Sequence, residues 1–292
     1  MSKLSFSHSS LLGRLGGAIL LILCTTFVHA QDGQVALLMV HFGTTYDDTR
    51  AKTIDAINEK VRMAMPQTTV RDAYTSRIVL KRLAKRGIRK DTPIDALLRL
   101  RSEGYRQVMV QPTYVIDGIE MARLREDINQ VRPFFDSIRI GTPLLYSVDD
   151  CQRVCQLLVD RHPVSPSRGS QKEATSSHFL FVGHGTEGPA TALYSQLDHI
   201  FSDSGHPNYH VATIEGYPTL DTAIRQLKAQ KGKRVKLVPL LFVAGDHANN
   251  DIAHEWKERL QQEGFQVEVC IEGLGEVPAI QSLYLEKISG EK

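Results

Sequence analysis

The chain has 292 residues, with 35 Lys and Arg against 33 Asp and Glu and a formal net charge of +2. A balance this close to neutral, without long basic runs, argues against a nucleic acid partner. The length after removal of a leader suits one large domain or two of ordinary size, each with its own core.

The first thirty residues have the pattern of a secretory signal peptide. Lys3 and Arg14 precede an apolar stretch over residues 15–28, and Val28 and Ala30 stand at the two positions that a signal peptidase reads. The alternative is an uncleaved anchor, but the apolar stretch is shorter than the roughly 20 residues that span a bilayer. We therefore expect cleavage after Ala30, a periplasmic mature protein and no stable membrane anchor.

From Gln31 onward, strand-like and helix-like segments alternate. Apolar runs at residues 35–43, 69–76 and 107–116 are separated by helical patterns at residues 47–65 and 93–104, and a further helix is predicted from Glu120 to Val131. Such alternation indicates βαβ units and a parallel sheet with right-handed crossovers. The basic stretch at residues 81–90 is interpreted as a solvated helix end and loop.

The pattern then repeats. Residues 179–185 (FLFVGHG) are similar to residues 35–43 (VALLMVHFG), and residues 235–247 are similar to residues 108–118, each with a proline inside an apolar run. The sequence thus predicts two similar Rossmann-like α/β domains, with a cleft between them, over residues 31–148 and 149–292. Residues 162–177, rich in Pro, Ser and Gly, are predicted to be a surface loop or linker. The last helix is expected to pack back on the first domain.

Three cysteines remain after the leader, Cys151, Cys155 and Cys270. An odd count without CxxC spacing indicates neither a disulfide framework nor a zinc knuckle. Cys151 and Cys155 are four residues apart on a predicted helix, where buried, inert thiols are expected.

Three polar residues of the second half stand at the ends of predicted buried strands: His184, Glu215 and His247. Open parallel sheets bind ligands at the carboxyl ends of their strands. Two imidazoles and one carboxylate form a site for a borderline-soft divalent metal with room for a further ligand. Each histidine alone is more often a hydrogen-bonded structural residue, and it is their joint placement that favours a metal site.

A competing interpretation concerns the glycines. Gly183, Gly185 and Gly188 match GxGxxG after a strand, the dinucleotide-binding pattern, with Glu215 as the ribose-binding acid. This alternative leaves His247 without a role. The same glycines also let the backbone turn and present the His184 imidazole.

Other residues are ambiguous. Glu120 lies in the first half at the position equivalent to His247, either as a proton acceptor in the cleft or as a helix-start carboxylate. His41 ends the first strand and either is structural or contacts a ligand across the cleft. Tyr46, Tyr114 and Tyr217 are walls for a flat ligand or ordinary aromatics, and Arg50, Arg77 and Arg123 receive no site role.

Four motifs together resemble those of the anaerobic sirohydrochlorin cobaltochelatases: VQPTYVIDGIE ending at Glu120, GHGT at His184, EGYP at Glu215 and GDHANND at His247. These are class II chelatases of the vitamin B12 pathway and relatives of ferrochelatase, and the resemblance covers essentially the whole mature chain. It implies His184, Glu215 and His247 as metal ligands, with catalysis by His184, His247 and Glu120.

The resemblance also implies the substrates. They are a sirohydrochlorin-type tetrapyrrole and Co²⁺, with Fe²⁺ as an alternative metal, and no organic cofactor is expected. The leader is a departure from the family, most of whose members are cytoplasmic. Three physiological roles therefore stay open: synthesis of cobalt-sirohydrochlorin, synthesis of sirohaem, or haem or metal handling outside the cytoplasm. An exported carrier without turnover is the rival function, and an exposed helix face leaves a homo-oligomer open.

Overall fold

The computed structural model describes residues 34–164, 177–245 and 248–290. The predicted leader, residues 165–176 of the predicted linker, and Asp246 and His247 lie outside the described residues. None of the helices in these ranges is long and apolar enough to cross a bilayer.

Two four-stranded sheets form the centre of the fold, and every strand pair is parallel. The first sheet contains β1 (Val35–His41), β2 (Val70–Tyr74), β3 (Gln107–Pro112) and β4 (Ser137–Ile140) in the order β2-β1-β3-β4. The second contains β5 (Ser177–Gly185), β6 (Tyr209–Glu215), β7 (Arg234–Pro239) and β8 (Gln266–Val269) in the order β6-β5-β7-β8. The identical order confirms the predicted pair of similar α/β halves.

Helices connect the strands. In the first half they are α1 (Asp47–Arg50), a π-helical segment (Ala51–Asp55), α2 (Ala56–Ala64), α3 (Arg77–Lys85), α4 (Pro93–Ser102) and α5 (Ile119–Val131). They continue with α6 (Val148–Arg161), α7 (Ala192–Asp203), α8 (Leu220–Ala229), a π-helical segment (Ala248–Trp256), α9 (Lys257–Gln262) and α10 (Pro278–Ser289). Crossover helices are what parallel strands require.

Local chemistry explains the helix starts. The side chains of Ser76, Thr92 and Thr219 accept hydrogen bonds from backbone N–H groups in the first turns of α3, α4 and α8. Ser147 and Asp150 form a capping box at the start of α6. These caps satisfy donors that have no partner inside the helix.

Strands β3 and β7 end at the prolines that stand inside their apolar runs. Pro112 is the last residue of β3 opposite Val40, and Pro239 is the last residue of β7 opposite Val182. The apolar residues that follow them therefore leave the sheet at the same edge in both halves.

One buried cluster joins the two halves. It includes Leu37 and Ile54 from the first half, Phe181 and Val238 from the second, and Tyr284 from α10. The last helix contacts the first half directly, because the Tyr284 hydroxyl donates to the Tyr114 carbonyl at 3.0 Å. The boundary at residues 148 and 149 stays a prediction.

The cysteines behave as expected where they lie on α6. Cys151 and Cys155 are buried, and burial raises the pKa of their thiols to about 11 and about 12. Thiols held protonated in this way are poor nucleophiles and poor metal ligands at neutral pH.

Candidate metal and tetrapyrrole site

A cavity of about 320 Å³ opens at the carboxyl ends of both sheets. Its walls come from the segments that follow β1, β3, β5 and β7, together with one face of α3. The volume is at the lower end of the range for small-molecule sites. The predicted cleft between the halves is therefore present, and it faces the edge where parallel sheets bind ligands.

His184 lies at this edge on β5, one residue before the strand ends. Its side chain is 41% exposed, and Nδ1 lies 3.3 Å from the carbonyl oxygen of Gly185. A carbonyl oxygen only accepts, so this contact selects the tautomer in which Nδ1 carries the proton and Nε2 the lone pair. Orientation of one ring nitrogen by a carbonyl is typical of metal-binding histidines.

Glu215 is the last residue of β6, which pairs with β5, and its side chain is 59% exposed. Its Oε2 atom lies 4.0 Å from Nδ1 of His184. Because Nδ1 carries the proton, a metal ion would bind at Nε2 of His184, and the Glu215 carboxylate stands beside the same ring at the neighbouring strand end. The structure thus brings together two of the three predicted metal ligands.

His247, the third predicted ligand, lies outside the described residues. Gly245, two positions earlier, lines the cavity. Among the residues that the structure describes, no group of three His, Cys, Asp or Glu side chains is arranged to hold a metal ion. The complete triad remains a prediction.

Glycine is required at position 185 for the two strand ends to meet. Gly185 pairs with Glu215 and has a φ of +83°, and a Cβ atom there would lie 1.6 Å from the Glu215 carbonyl oxygen. Gly183 has a packing role, because a Cβ atom at this position would lie 2.2 Å from the Tyr194 ring.

This geometry differs from that of a dinucleotide fingerprint. Strand β5 continues through Gly185, and the following α-helix begins only at Ala192. A pyrophosphate site instead needs the glycines in the turn that opens the helix. Gly183 and Gly185 are thus explained by strand pairing and packing.

Glu120 lies on the first-half wall of the same cavity as His184, in the first turn of α5. Its side chain is 31% exposed, and its Oε1 lies 3.6 Å from Nη1 of Arg123. Both predicted roles are compatible with this position, since the carboxylate stands at a helix start and also faces the cleft.

Comparison with known proteins supplies the deciding observation. The family model for cobalt chelatase (CbiK) matches residues 35–291. The chain belongs to this cobalt chelatase family. The sirohydrochlorin cobaltochelatase of Salmonella typhimurium is 35% identical over 255 residues, which cover 86% of this chain and 93% of that protein. The sirohydrochlorin cobaltochelatase CbiKC of Nitratidesulfovibrio vulgaris is 30% identical over 267 residues, 89% of this chain and 92% of that protein.

Solved structures support the fold of this cobalt chelatase family member. SirB from Bacillus subtilis with Fe³⁺ superposes with a TM-score of 0.62 at 14% identity, covering 88% of this chain and 94% of that one. The sirohydrochlorin chelatase SirB from Bacillus subtilis subspecies spizizenii in complex with cobalt gives a TM-score of 0.61 at 11% identity, with coverages of 88% and 94%. At such identities the likeness establishes the two-sheet architecture alone.

Of the two alternatives for His41, the structure of this cobalt chelatase supports the structural one. His41 is fully buried, and its Nε2 and Nδ1 atoms lie 3.1 Å from Asn58 Oδ1 and 2.9 Å from Thr113 Oγ1. Its ring stacks on Phe242 of the second half at a centroid distance of 6.2 Å. The strand ends at His41, but its side chain points into the core beneath the cleft.

The three candidate tyrosines differ in their position relative to the cavity. Tyr46 and Tyr114 line the cavity, whereas Tyr217 is exposed outside its lining. Burial raises the pKa of Tyr114 well above its usual value, and the nearby Glu120 carboxylate adds to the effect. Tyr114 is therefore a neutral phenol at physiological pH.

Sequence reasoning missed Arg82 as a residue of the cobalt chelatase cleft. It falls in the basic stretch that was interpreted as solvated, yet it lines the cavity with Ile78 and Val79 from the same helix. Positions 78, 79 and 82 share one helical face, and this spacing after the capping residue Ser76 is the signal that could have found it.

Proposed function

We infer that this protein inserts Co²⁺ into sirohydrochlorin, a tetrapyrrole of cobalamin biosynthesis, with the release of two protons. The observation that carries this conclusion is that His184 lines the cleft with Glu215 beside it at the neighbouring strand end, in a chain of the cobalt chelatase family. The two curated relatives named above are sirohydrochlorin cobaltochelatases that cover nearly all of the described chain.

The metal ligands that we propose are His184, Glu215 and His247. Two imidazoles and a carboxylate suit a borderline divalent ion and leave coordination positions open. Pyrrole nitrogens can then join the ion stepwise while its other ligands depart, so that no free aquo ion is needed. Gly245 at the cleft wall supports the assignment of His247, since only one residue separates them.

The proposed proton acceptors are Glu120 and the imidazoles of His184 and His247, whose metal-binding nitrogens become free to accept a proton once the ion has moved to the macrocycle. Insertion requires two pyrrole N–H groups to lose their protons, and a carboxylate or neutral imidazole at the cleft can accept them. Glu120 lines the cavity from the first half, and the proposed ligand His184 lines it from the second half. A macrocycle between the walls would have the metal on one side and this carboxylate on the other.

The decisive experiment is a turnover assay on the purified protein. Sirohydrochlorin and Co²⁺ in large excess over protein should give the absorption spectrum of cobalt-sirohydrochlorin over many turnovers. A spectral change that stops at one equivalent would instead identify a tetrapyrrole carrier. A parallel assay with Fe²⁺ measures the metal preference.

We further propose that the enzyme is exported to the periplasm and loses residues 1–30. The family match begins at residue 35, which is compatible with a leader that precedes the catalytic fold. N-terminal sequencing of the protein from periplasmic and cytoplasmic fractions tests this, with a mature start at Gln31 expected in the periplasm. Full-length protein confined to the cytoplasm would contradict it.

A further inference from the structure

Helix α3 forms one wall of the cleft. Ile78, Val79 and Arg82 line the cavity from one face of this helix, next to the capping residue Ser76. Ile78 is 66% exposed, which is unusual for a large apolar residue.

The rim around this wall is apolar. Phe42, Tyr46 and Ile119 also line the cavity and are exposed to solvent, like Ile78. Exposed apolar groups clustered around an opening indicate a ligand with apolar faces rather than a small hydrophilic one.

Arg82 adds a permanent positive charge to that apolar rim. Among the cavity-lining residues in the part of the chain that the structure describes, it is the only Lys or Arg. The other ionisable groups there are the carboxyl group of Glu120 and the imidazole of His184, apart from phenols. The wall therefore combines an apolar surface with one guanidinium group.

The basic residues near Arg82 in sequence do not line the cavity. Arg86 donates to the Thr45 carbonyl at 2.6 Å and to the Asp47 carboxylate, so it fixes the loop that follows β1. Lys90 donates to Asp72 at 2.6 Å. Lys85 lies on α3 and is exposed, but it does not line the cavity. Arg82 is thus distinguished from them by its position on the cleft face.

Sirohydrochlorin carries acetate and propionate groups around a flat macrocycle. Such a ligand matches an apolar wall with a guanidinium at its border, because Arg binds carboxylates in a planar, bidentate manner. We propose that Arg82 binds a peripheral carboxylate of the tetrapyrrole and makes the enzyme select polycarboxylated macrocycles. This inference rests on the proposed function, whose substrate class it specifies.

Three variants test the inference: Arg82→Gln, Arg82→Lys and the matched control Lys85→Gln. The control removes the same charge from the same helix without touching the cavity. We expect Arg82→Gln to raise the KM for sirohydrochlorin about tenfold with kcat little changed, as for the loss of one charge-assisted hydrogen bond. Arg82→Lys should give an intermediate KM, and Lys85→Gln should match the wild type.

Salt dependence supplies a readout that a structural role would not change. The wild-type KM should rise with ionic strength more steeply than that of Arg82→Gln, because salt screens the contact that the variant lacks. Equal melting temperatures of the variants would show that α3 is intact. An unchanged KM in Arg82→Gln, or equal effects of Arg82→Gln and Lys85→Gln, would overturn the inference.

Binding without metal separates this inference from the proposed function. Fluorescence titration with uroporphyrin, which has a carboxylated side chain at every peripheral position, should show weaker binding to Arg82→Gln than to wild type. Deuteroporphyrin, with only two carboxylates, should show a smaller difference. If uroporphyrin binds more weakly to Arg82→Gln than to the wild type, but the wild type shows no turnover of sirohydrochlorin with Co²⁺, the proposed function fails and the inference about Arg82 stands. If the wild type does turn over sirohydrochlorin, but each porphyrin binds equally to the wild type and to Arg82→Gln, the inference about Arg82 fails.

Discussion

At the scale of single residues, His184 depends on a contact with its own neighbour. The Gly185 carbonyl near Nδ1 orients the ring while the Glu215 carboxylate stands 4.0 Å away. The two proposed ligands are therefore brought together by adjacent strand ends, and His184 lines the cleft. Such preorganisation lowers the cost of positioning an incoming ion.

His184→Ala is predicted to reduce cobalt insertion at least about 100-fold, since loss of a metal ligand exceeds the cost of losing its supporting groups. The side chain is 41% exposed, so the fold should be retained. Initial rates followed by absorbance, with circular dichroism on the same sample, measure both effects. The matched control is His199→Ala, an exposed histidine of α7 outside the cavity lining. Equal rates in both variants would remove His184 from the mechanism.

Glu120→Gln keeps the size of the side chain and removes its basicity. We predict that kcat falls about 100-fold, in the range of general base catalysis, while Co²⁺ binding is little changed. Comparison of kcat with calorimetric Co²⁺ affinity distinguishes the two roles proposed for Glu120. A variant with normal kcat would assign Glu120 to helix stabilisation alone.

His41, at the end of β1, is expected to lower the stability of the protein in acid. Burial lowers the pKa of this histidine to about 4, against about 6.5 in the unfolded chain. As the pH falls below 6.5, the unfolded chain takes up a proton that the native state does not, so the free energy of unfolding decreases by about 1.4 kcal/mol per pH unit until about pH 4.

The His41→Gln variant isolates this effect. We predict lower stability than wild type at pH 7, because a buried hydrogen-bonded ring is lost, but a shallower decrease between pH 6.5 and 4. Urea unfolding at several pH values measures both quantities. Parallel pH curves for the two proteins would contradict a buried neutral His41.

At the scale of elements, the apolar runs predicted six of the eight strands and the duplication, but not the short edge strands β4 and β8, whose residues are largely exposed or half-buried. They placed the ends of β3 and β7 too late, because apolar residues after Pro112 and Pro239 line the cleft instead of continuing the sheet. Periodicity also cannot tell which way a strand-end side chain points, and hence it left the role of His41 open. Arg82 was missed because charge alone does not distinguish a solvated helix face from one that borders a cavity.

The glycines of the GHGTEG motif allow a direct test of the β5–β6 junction. Gly185→Ala introduces a Cβ 1.6 Å from the Glu215 carbonyl oxygen at a φ of +83°. We predict a loss of at least about 2 kcal/mol of stability together with loss of activity, because the strand ends that carry the two proposed ligands, His184 and Glu215, would shift. Thermal and urea unfolding measure the stability.

Gly188→Ala is the matched control for that junction. A Cβ at this position would have only the Thr186 hydroxyl nearby, at 3.9 Å, and the residue has no left-handed φ. Its stability and activity should be close to those of the wild type. If Gly188→Ala were the more damaging variant, the glycines would have a role other than strand pairing.

At the scale of the whole molecule, the two halves are joined through a common core and through α10. Tyr284 is fully buried, packs edge-on against Phe242 at 5.6 Å and donates to the Tyr114 carbonyl of the first half. Lys60 of the first half donates to the Pro278 carbonyl and the Ser282 hydroxyl at 2.9 and 2.7 Å. The walls of the cleft are therefore held together by a helix that packs behind them without lining the cavity.

Tyr284→Ala should weaken both halves together. Loss of a buried aromatic ring costs about 3 kcal/mol or more, and the common core predicts one cooperative unfolding transition with a lower midpoint. Unfolding is followed by far-ultraviolet circular dichroism and by fluorescence of Trp256, which lies in the second half. Glu286→Ala on the same helix is the control, because its ion pair with Arg153 is partly exposed and contributes little. Two separate transitions in Tyr284→Ala would mean that the halves fold independently and that α10 only holds them in contact.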